Sequence, residues 1–363
     1  MIELIYSISG RRSITKAANV IASAIAVGLL VLLSGACQQF PGDCSDKDPQ
    51  CDIFRLWYAA QSVTPVIVVG DSLGQIHVSY DGRSWQTIVV DSGFQLTDII
   101  WQNDRFWLTS NNTIQPPRVF FSGDALTWNS TASGFTTGGR FSGIAFGNGR
   151  FVVTGIYLPS PQIYSSADGF TWSAVSDADL GTSDFDASPD ANLLSFAGGQ
   201  FIAGDVAAGI VFFSSDGLDW TVGLSSTSNP SQFSKTGDYF FWTDAGLLLA
   251  KTTLTGATPS AVSGPTGMRA TDANNHGFGI AVGDASAIHT SEDGINWSFN
   301  RNPGGSVQMT TATVDDPRLM FAGGVGGVYY ISTSGGETWE GPFTIPGAGN
   351  LRSAVTRPGF PFQ

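Results

Sequence analysis

The sequence predicts an all-β chain, a seven-bladed β-propeller with four-stranded antiparallel blades. Three observations carry this. A turn of the form Ser-x-Asp-Gly-x-x-Trp recurs at nearly regular spacing. Short apolar runs of strand type flank each copy. No stretch after residue 36 shows helical periodicity.

The first copy of the turn is Ser79-Tyr80-Asp81-Gly82-Arg83-Ser84-Trp85. The frame returns at Ser166, Asp168, Gly169 and Trp172, at Ser214, Asp216, Gly217 and Trp220, and at Ser291, Asp293, Gly294 and Trp297. A variant with Ala125 in place of Gly has Ser122, Asp124 and Trp128, and a longer one from Ser332 to Trp339 lacks the Asp. Successive Trp residues are 43, 44, 48, 77 and 42 apart. The interval of 77 suits two repeats, so a worn copy is expected inside it. Thr253 to Pro259 fits, with Pro259 in the Trp place, and gives seven copies.

The flanks supply the strands. Gly143-Ile144-Ala145-Phe146, Phe151-Val152-Val153 and Gln162-Ile163-Tyr164 precede one turn, and a run such as Gln86-Thr87-Ile88-Val89-Val90 follows another. Four short strands in roughly forty residues is the pattern of a propeller blade. Within the turn, Gly supplies positive φ. The Asp carboxylate and Ser hydroxyl can take backbone N–H groups, and the Trp covers the hairpin. The turn is thus read as structure rather than chemistry. These motifs resemble the Asp-box, or BNR, repeats of sialidases, sortilin ectodomains, some glycosidases and photosystem II assembly factors. The resemblance spans roughly residues 55–363. It implies the propeller fold and leaves function open, because that repeat serves enzymes and binding scaffolds alike. Ring closure has two candidates: Arg352-Ser353-Ala354-Val355-Thr356, which reads as a first strand without a following turn, and Trp57-Tyr58-Ala59-Ala60.

The amino terminus reads as an address. Arg11, Arg12 and Lys16 precede an uncharged run from Val20 to Leu33, followed by Ser34-Gly35-Ala36-Cys37. That is a signal peptide pattern, and the small residues before Cys37 resemble a bacterial lipobox in which Cys37 is lipidated. The expected organisation is a signal peptide over 1–36, a lipidated tether over 37–52 and the propeller over 53–363. Cys44 and Cys51, the remaining cysteines, could close a small disulfide loop in an oxidising compartment. Gln38 after the Cys directs the expectation to the outer membrane, with the chain a lipid-anchored monomer of the cell envelope.

Composition narrows the partners. The chain has 363 residues, 45 Gly, 13% charged residues and a net charge of −13. Such acidity argues against nucleic acid. A sialidase-type site is not expected. The resemblance to sialidases implies a Tyr nucleophile paired with a Glu, but the four Glu are Glu3 in the leader and Glu292, Glu337 and Glu340 in or beside turns, leaving none to activate a central Tyr. A glycosidase built on two Asp carboxylates stays open. His77 and His289 sit at matching positions of two repeats, so they read as repeat copies rather than a converging pair. No cofactor and no catalytic set is expected. The acidic linker with Asp177, Asp179, Asp184 and Asp186 reads as a solvated loop, and its functional reading is a low-affinity Ca²⁺ site. Four arginines, Arg55, Arg140, Arg269 and Arg352, fall at the starts of innermost strands. With Tyr157 in a Pro-rich loop, they are the candidate ligand contacts for an envelope or host protein, or a glycan. The functional expectation is a non-catalytic binding scaffold. The alternative is a carbohydrate-active enzyme using Asp.

Overall fold

The computed structural model describes residues 66–112, 117–135, 139–157, 162–176, 194–205, 209–225, 230–244, 246–255, 260–273, 278–298, 305–316 and 319–357. Blade one holds β1 (Val66–Asp71), β2 (Gln75–Ser79) and β3 (Gln86–Val89). Blade two is β4 (Leu96–Gln102), β5 (Arg105–Ser110), β6 (Val119–Ser122) and β7 (Asn129–Thr131). Blade three is β8 (Gly139–Gly147), β9 (Arg150–Tyr157), β10 (Gln162–Ser166) and β11 (Ser173–Ala174). Blade four is β12 (Leu194–Ala197), β13 (Gln200–Asp205), β14 (Ile210–Ser214) and β15 (Thr221–Ser225). Blade five is β16 (Pro230–Thr236), β17 (Tyr239–Asp244), β18 (Leu247–Lys251) and β19 (Ser260–Thr266). Blade six contributes β20 (Met268–Ala273), β21 (Gly279–Gly283) and β22 (Ile288–Ser291) among the described residues. Blade seven is β23 (Met309–Asp316), β24 (Leu319–Gly324), β25 (Val328–Ser332) and β26 (Glu340–Thr344), and β27 (Leu351–Arg357) ends the described chain.

Every pairing is antiparallel, and β27 pairs with β1 to give the sheet order β27-β1-β2-β3. The ring therefore closes by joining the carboxyl-terminal strand to the first blade. This selects the first of the two closure candidates; residues 57–60 lie outside the described residues. Strands β27, β4, β8, β12, β16, β20 and β23 each neighbour the next, and β23 returns to β27.

The core is divided rather than central. Seven apolar clusters are found, one between each pair of neighbouring blades. The cluster between blades two and three is the most aromatic: Trp107, Phe135, Phe141, Phe151, Tyr164 and Trp172 are all buried there. Edge-to-face and tilted contacts, such as Trp107 to Phe151 at 4.6 Å, knit it together.

The Ser and Asp bonds recur from turn to turn, and in the turns at Trp128, Trp172 and Trp297 the Trp N–H closes on the turn carbonyl. In the third turn, Ser166 Oγ donates to Asp168 Oδ1 at 2.9 Å and accepts the Gly169 N–H at 2.9 Å. Asp168 Oδ1 accepts the N–H groups of Phe170 and Thr171 at 2.8 and 2.9 Å, and Trp172 Nε1 donates to Gly169 O at 3.0 Å. Gly169 has φ 79°, and a Cβ there would stand 2.4 Å from the Trp107 ring of the preceding blade. The glycine is thus fixed twice, by the left-handed backbone and by the neighbour it rests on. The turn seals its own hairpin and docks it to the blade before.

Two copies depart from the frame. In the last, Ser334 Oγ replaces the carboxylate and accepts the Thr338 N–H at 2.8 Å. In blade five, β18 pairs Lys251 with Phe240, as Ser214 pairs with Phe201 in blade four. Lys251, not Thr253, therefore holds the serine place, and the worn copy starts two residues earlier than its sequence suggested. The Lys251 ammonium donates to Thr255 O at 2.7 Å, and Leu254 is buried where other turns carry Gly or Ala. Pro259 lies outside the described residues.

The turn carboxylates are held below their ordinary pKa. At Asp293 burial pushes upward, but N–H donors from Asn296 and Ile295, the Asn296 amide and the Ser291 hydroxyl outweigh it, giving about 2. Asp81, Asp124, Asp168 and Asp216 shift the same way, led by the N–H groups of Ser84, Thr127, Thr171 and Asp219. A depressed pKa favours the fold when the group is ionised. Their contribution is therefore complete above the unfolded value of about 3.9 and is lost as pH falls toward 2. Thermal unfolding followed by Trp circular dichroism should show the midpoint dropping between about pH 4 and pH 2. A flat midpoint across that window would contradict the clasp role.

Candidate functional site: the axial channel

The innermost strand of each blade has no partner on its axial side. Its outward N–H and C=O groups would be orphaned unless something satisfies them. The channel they surround contains a cavity of about 540 Å³, within the usual range for ligand pockets, and all seven innermost strands contribute to its wall. Hydroxyls dominate the throat: Ser195, Ser234, Thr271, Thr311, Thr313 and Ser353.

Two carboxylates in that wall do a specific job. Asp98 on β4 is 3% exposed. Its Oδ1 accepts the Ile99 N–H at 2.9 Å and the Ser353 hydroxyl at 3.0 Å, and its Oδ2 accepts the Ile144 N–H of β8 at 3.0 Å. One side chain thus ties β27, β4 and β8. Asp272 on β20 repeats the pattern, taking the Ala273 N–H at 2.8 Å and the Val314 N–H of β23 at 3.0 Å. Both carboxylates cap edge donors of their own strand and of the next blade.

The cavity reaches the ends of the innermost strands. Antiparallel alternation puts those ends on the face that also carries the Ser-Asp turns. There Trp101, Phe146 and Phe196 occupy matching positions in three consecutive blades, and Lys235 takes the same place in the fourth. All four are half-buried and border the cavity. Each aromatic leans on the first apolar residue of the following strand: Trp101 on Phe106 at 4.5 Å, Phe146 on Phe151 at 4.5 Å and Phe196 on Phe201 at 4.9 Å. Lys235 Nζ sits 5.5 Å from the Phe240 ring and donates to Gly237 O at 2.8 Å. Tight two-residue turns place these pairs, with positive φ at Asn103, Asp104, Asn148, Gly149, Gly198 and Gly199. The rim is therefore lopsided, aromatic over blades two to four with Lys235 beside them in blade five.

The described arginines among the sequence-expected contacts do not border this cavity. Arg140, Arg269 and Arg352 lie on β8, β20 and β27, nearer the strand starts, and none borders it. Arg269 pairs with Asp284, Nε to Oδ1 at 3.0 Å, and Gln308 donates to the same oxygen at 3.0 Å. Arg352 is half-buried, and burial lowers its guanidinium from its ordinary value. Tyr157 ends β9, on the face opposite the turns. Arg55, Cys37, Cys44, Cys51 and the linker carboxylates Asp177, Asp179, Asp184 and Asp186 lie outside the described residues. Among the described residues no group of three His, Cys, Asp or Glu could hold a metal ion, and no helix is long and apolar enough to cross a membrane.

His77 and His289 occupy equivalent positions on β2 and β22 and are both buried. His77 Nε2 meets Asp71 Oδ2 at 3.2 Å, and its Nδ1 meets Thr87 Oγ1 at 2.9 Å. Asp71 also accepts the N–H groups of Leu73, Gln75 and Gly349. Burial would raise its carboxyl, but these bonds, the one to His77 foremost, hold it below the ordinary value. The pair anchors the segment that leads into β27. Burial lowers the His289 imidazole, against a bond to Ser298 O.

Sequence reasoning passed over Trp101, Phe146 and Phe196. A signal existed: each stands five residues before a Phe, across a polar or glycine-rich turn. It was overshadowed by the longer turn motif.

No family model matches the chain, and no curated protein does. Solved structures do. Ycf48 bound to D1 peptide aligns at TM-score 0.51 and 13% identity, over 72% of this chain and 90% of that one. A catalytically inactive virginiamycin B lyase from Staphylococcus aureus, with quinupristin, gives 0.53 and 11%, over 76% and 94%. Apo AztD from Citrobacter koseri gives 0.54 and 8%, over 81% and 99%. What they share is the fold. At these identities the likeness carries the seven-bladed propeller and nothing finer.

Proposed function

We propose that this chain is an exported, lipid-anchored envelope protein of the Asp-box (BNR) repeat class, acting as a non-catalytic scaffold for a protein or glycan partner. The observation that carries it is the state of Asp98 and Asp272. Both oxygens of each accept backbone N–H groups, so the two acids of the channel wall serve as clasps rather than as a poised acid and base. The bond pattern of the Ser-Asp turns supports the repeat class. The leader ending at Cys37 supports the anchor. Ycf48, a propeller of similar fold, is found bound to a D1 peptide, which supports a protein partner as one reading.

A carbohydrate-active enzyme is the second reading, favoured by one fact: two carboxylates share one cavity. One preparation tests both parts. The full chain and its Cys37→Ser form are expressed, fractionated and assayed on a broad panel of glycosides and sialosides. The expected result is membrane retention lost in Cys37→Ser and no turnover in either. Robust turnover abolished by Asp98→Asn would overturn the scaffold reading, and retention of Cys37→Ser in membranes would overturn the anchor.

A further inference from the structure

We infer that the axial cavity is a binding site for a neutral saccharide, entered from the face that carries the Ser-Asp turns. The inference deepens the scaffold reading and rests on it, since the sugar is held and not cleaved.

The wall has two chemistries in the right order. At the turn-side end Trp101, Phe146 and Phe196 border the cavity in three consecutive blades, half-buried and each packed on one side against an inter-blade apolar cluster. Aromatic faces carry negative charge density and attract the electron-poor C–H face of a pyranose. Deeper in, the wall turns polar, with Gln232 and the throat hydroxyls, and Gln102 adds an amide at the rim beside Trp101. An amide side chain offers donors and acceptors together, and so does a hydroxyl, which matches a polyol better than a lipid or a flat apolar ligand. The cavity of about 540 Å³ is of pocket size and is narrowed by seven strands, so it takes one or two sugar rings rather than a folded domain.

Charge selects among sugars. Asp98 and Asp272 stand in the wall, and Lys235, the cation at the rim, is already donating to Gly237 O. An anionic sugar would meet two carboxylates in a confined space with no cation aimed at it from the described wall. Arg140, Arg269 and Arg352, the described arginines at the strand starts, do not border the cavity. The fit is therefore to neutral rings.

The test uses the full chain in detergent, titrated by calorimetry and Trp fluorescence with cellobiose, maltose, lactose and chitobiose, and with glucuronate and sialyllactose as charged counterparts. At least one neutral sugar should bind, and every charged sugar at least about tenfold more weakly. Trp101→Ala and Phe196→Ala should each weaken binding about tenfold. If either truncation fails to fold, Gln102→Ala keeps the test open, because a half-buried rim amide should leave the unfolding midpoint in place and still weaken the sugar. Absence of binding by every neutral sugar overturns the site, and so does binding indifferent to all three variants. Turnover of a bound sugar would sink the non-catalytic reading while leaving the site standing. A protein ligand insensitive to these variants, with no sugar bound, would sink the site and spare the scaffold.

Discussion

Trp172→Ala should cost the chain about 3–5 kcal/mol of stability, the usual loss for a fully buried large aromatic. Trp172 is 2% exposed. Its indole lies between two blades, 5.4 Å from Phe135 and 6.4 Å from Phe151, and its N–H closes the turn on Gly169 O. Truncation removes the plug between blades two and three and leaves the Gly169 carbonyl without its donor. Collapse cannot repair the gap, because Trp107 and Phe151 are already packed against rings on their other sides. Trp128→Ala supplies the internal comparison. Trp128 makes the same bond, to Ala125 O at 2.9 Å, but is only half-buried. Its loss should be well under that of Trp172. Urea unfolding of the two variants beside the parent chain checks this. Equal losses would mean that the turn bond dominates and the inter-blade packing does not.

The turn motif was legible because its chemistry is local. Ser, Asp, Gly and Trp lie within seven residues, and the Ser and Asp bonds close inside the same hairpin, so spacing alone exposes them. The number of blades followed from the Trp intervals, and the worn copy fell in the right blade. Its register was missed by two residues because Lys251 satisfies the turn with a long ammonium in place of a hydroxyl, a substitution no frame anticipates. Closure was undecidable from sequence: β27 and β1 are separated by the whole propeller, and only the pairing of Val68 with Val355 reveals which strand fills the place. The site was harder still. Asp98 reads as an ordinary polar residue in an apolar strand, since its partners Ser353 and Ile144 lie on other blades. The four arginines offered as ligand contacts were picked out by their positions along strands. Position fixes height in the channel but not direction, and Arg269 spends its guanidinium on Asp284 of its own blade.

Thermal unfolding of Asp98→Asn tests most directly whether the channel carboxylates are structural. Asn keeps the shape and one acceptor. The amide nitrogen that replaces the second oxygen is a donor, so either Ile99 or Ile144 must face it N–H to N–H. At 3% exposure no bulk water relieves the conflict. One buried N–H is orphaned, and two charge-assisted bonds become neutral ones, for a loss of about 1.5–3 kcal/mol. Asp272→Asn should follow in the same direction through Ala273 and Val314, with a smaller loss because Asp272 is half-buried. A group kept for catalysis behaves differently: its replacement commonly leaves stability unchanged or raises it. A midpoint several degrees below that of the parent chain is the predicted result. An unchanged or raised midpoint for Asp98→Asn would contradict the clasp, and the non-catalytic reading built on it would fall.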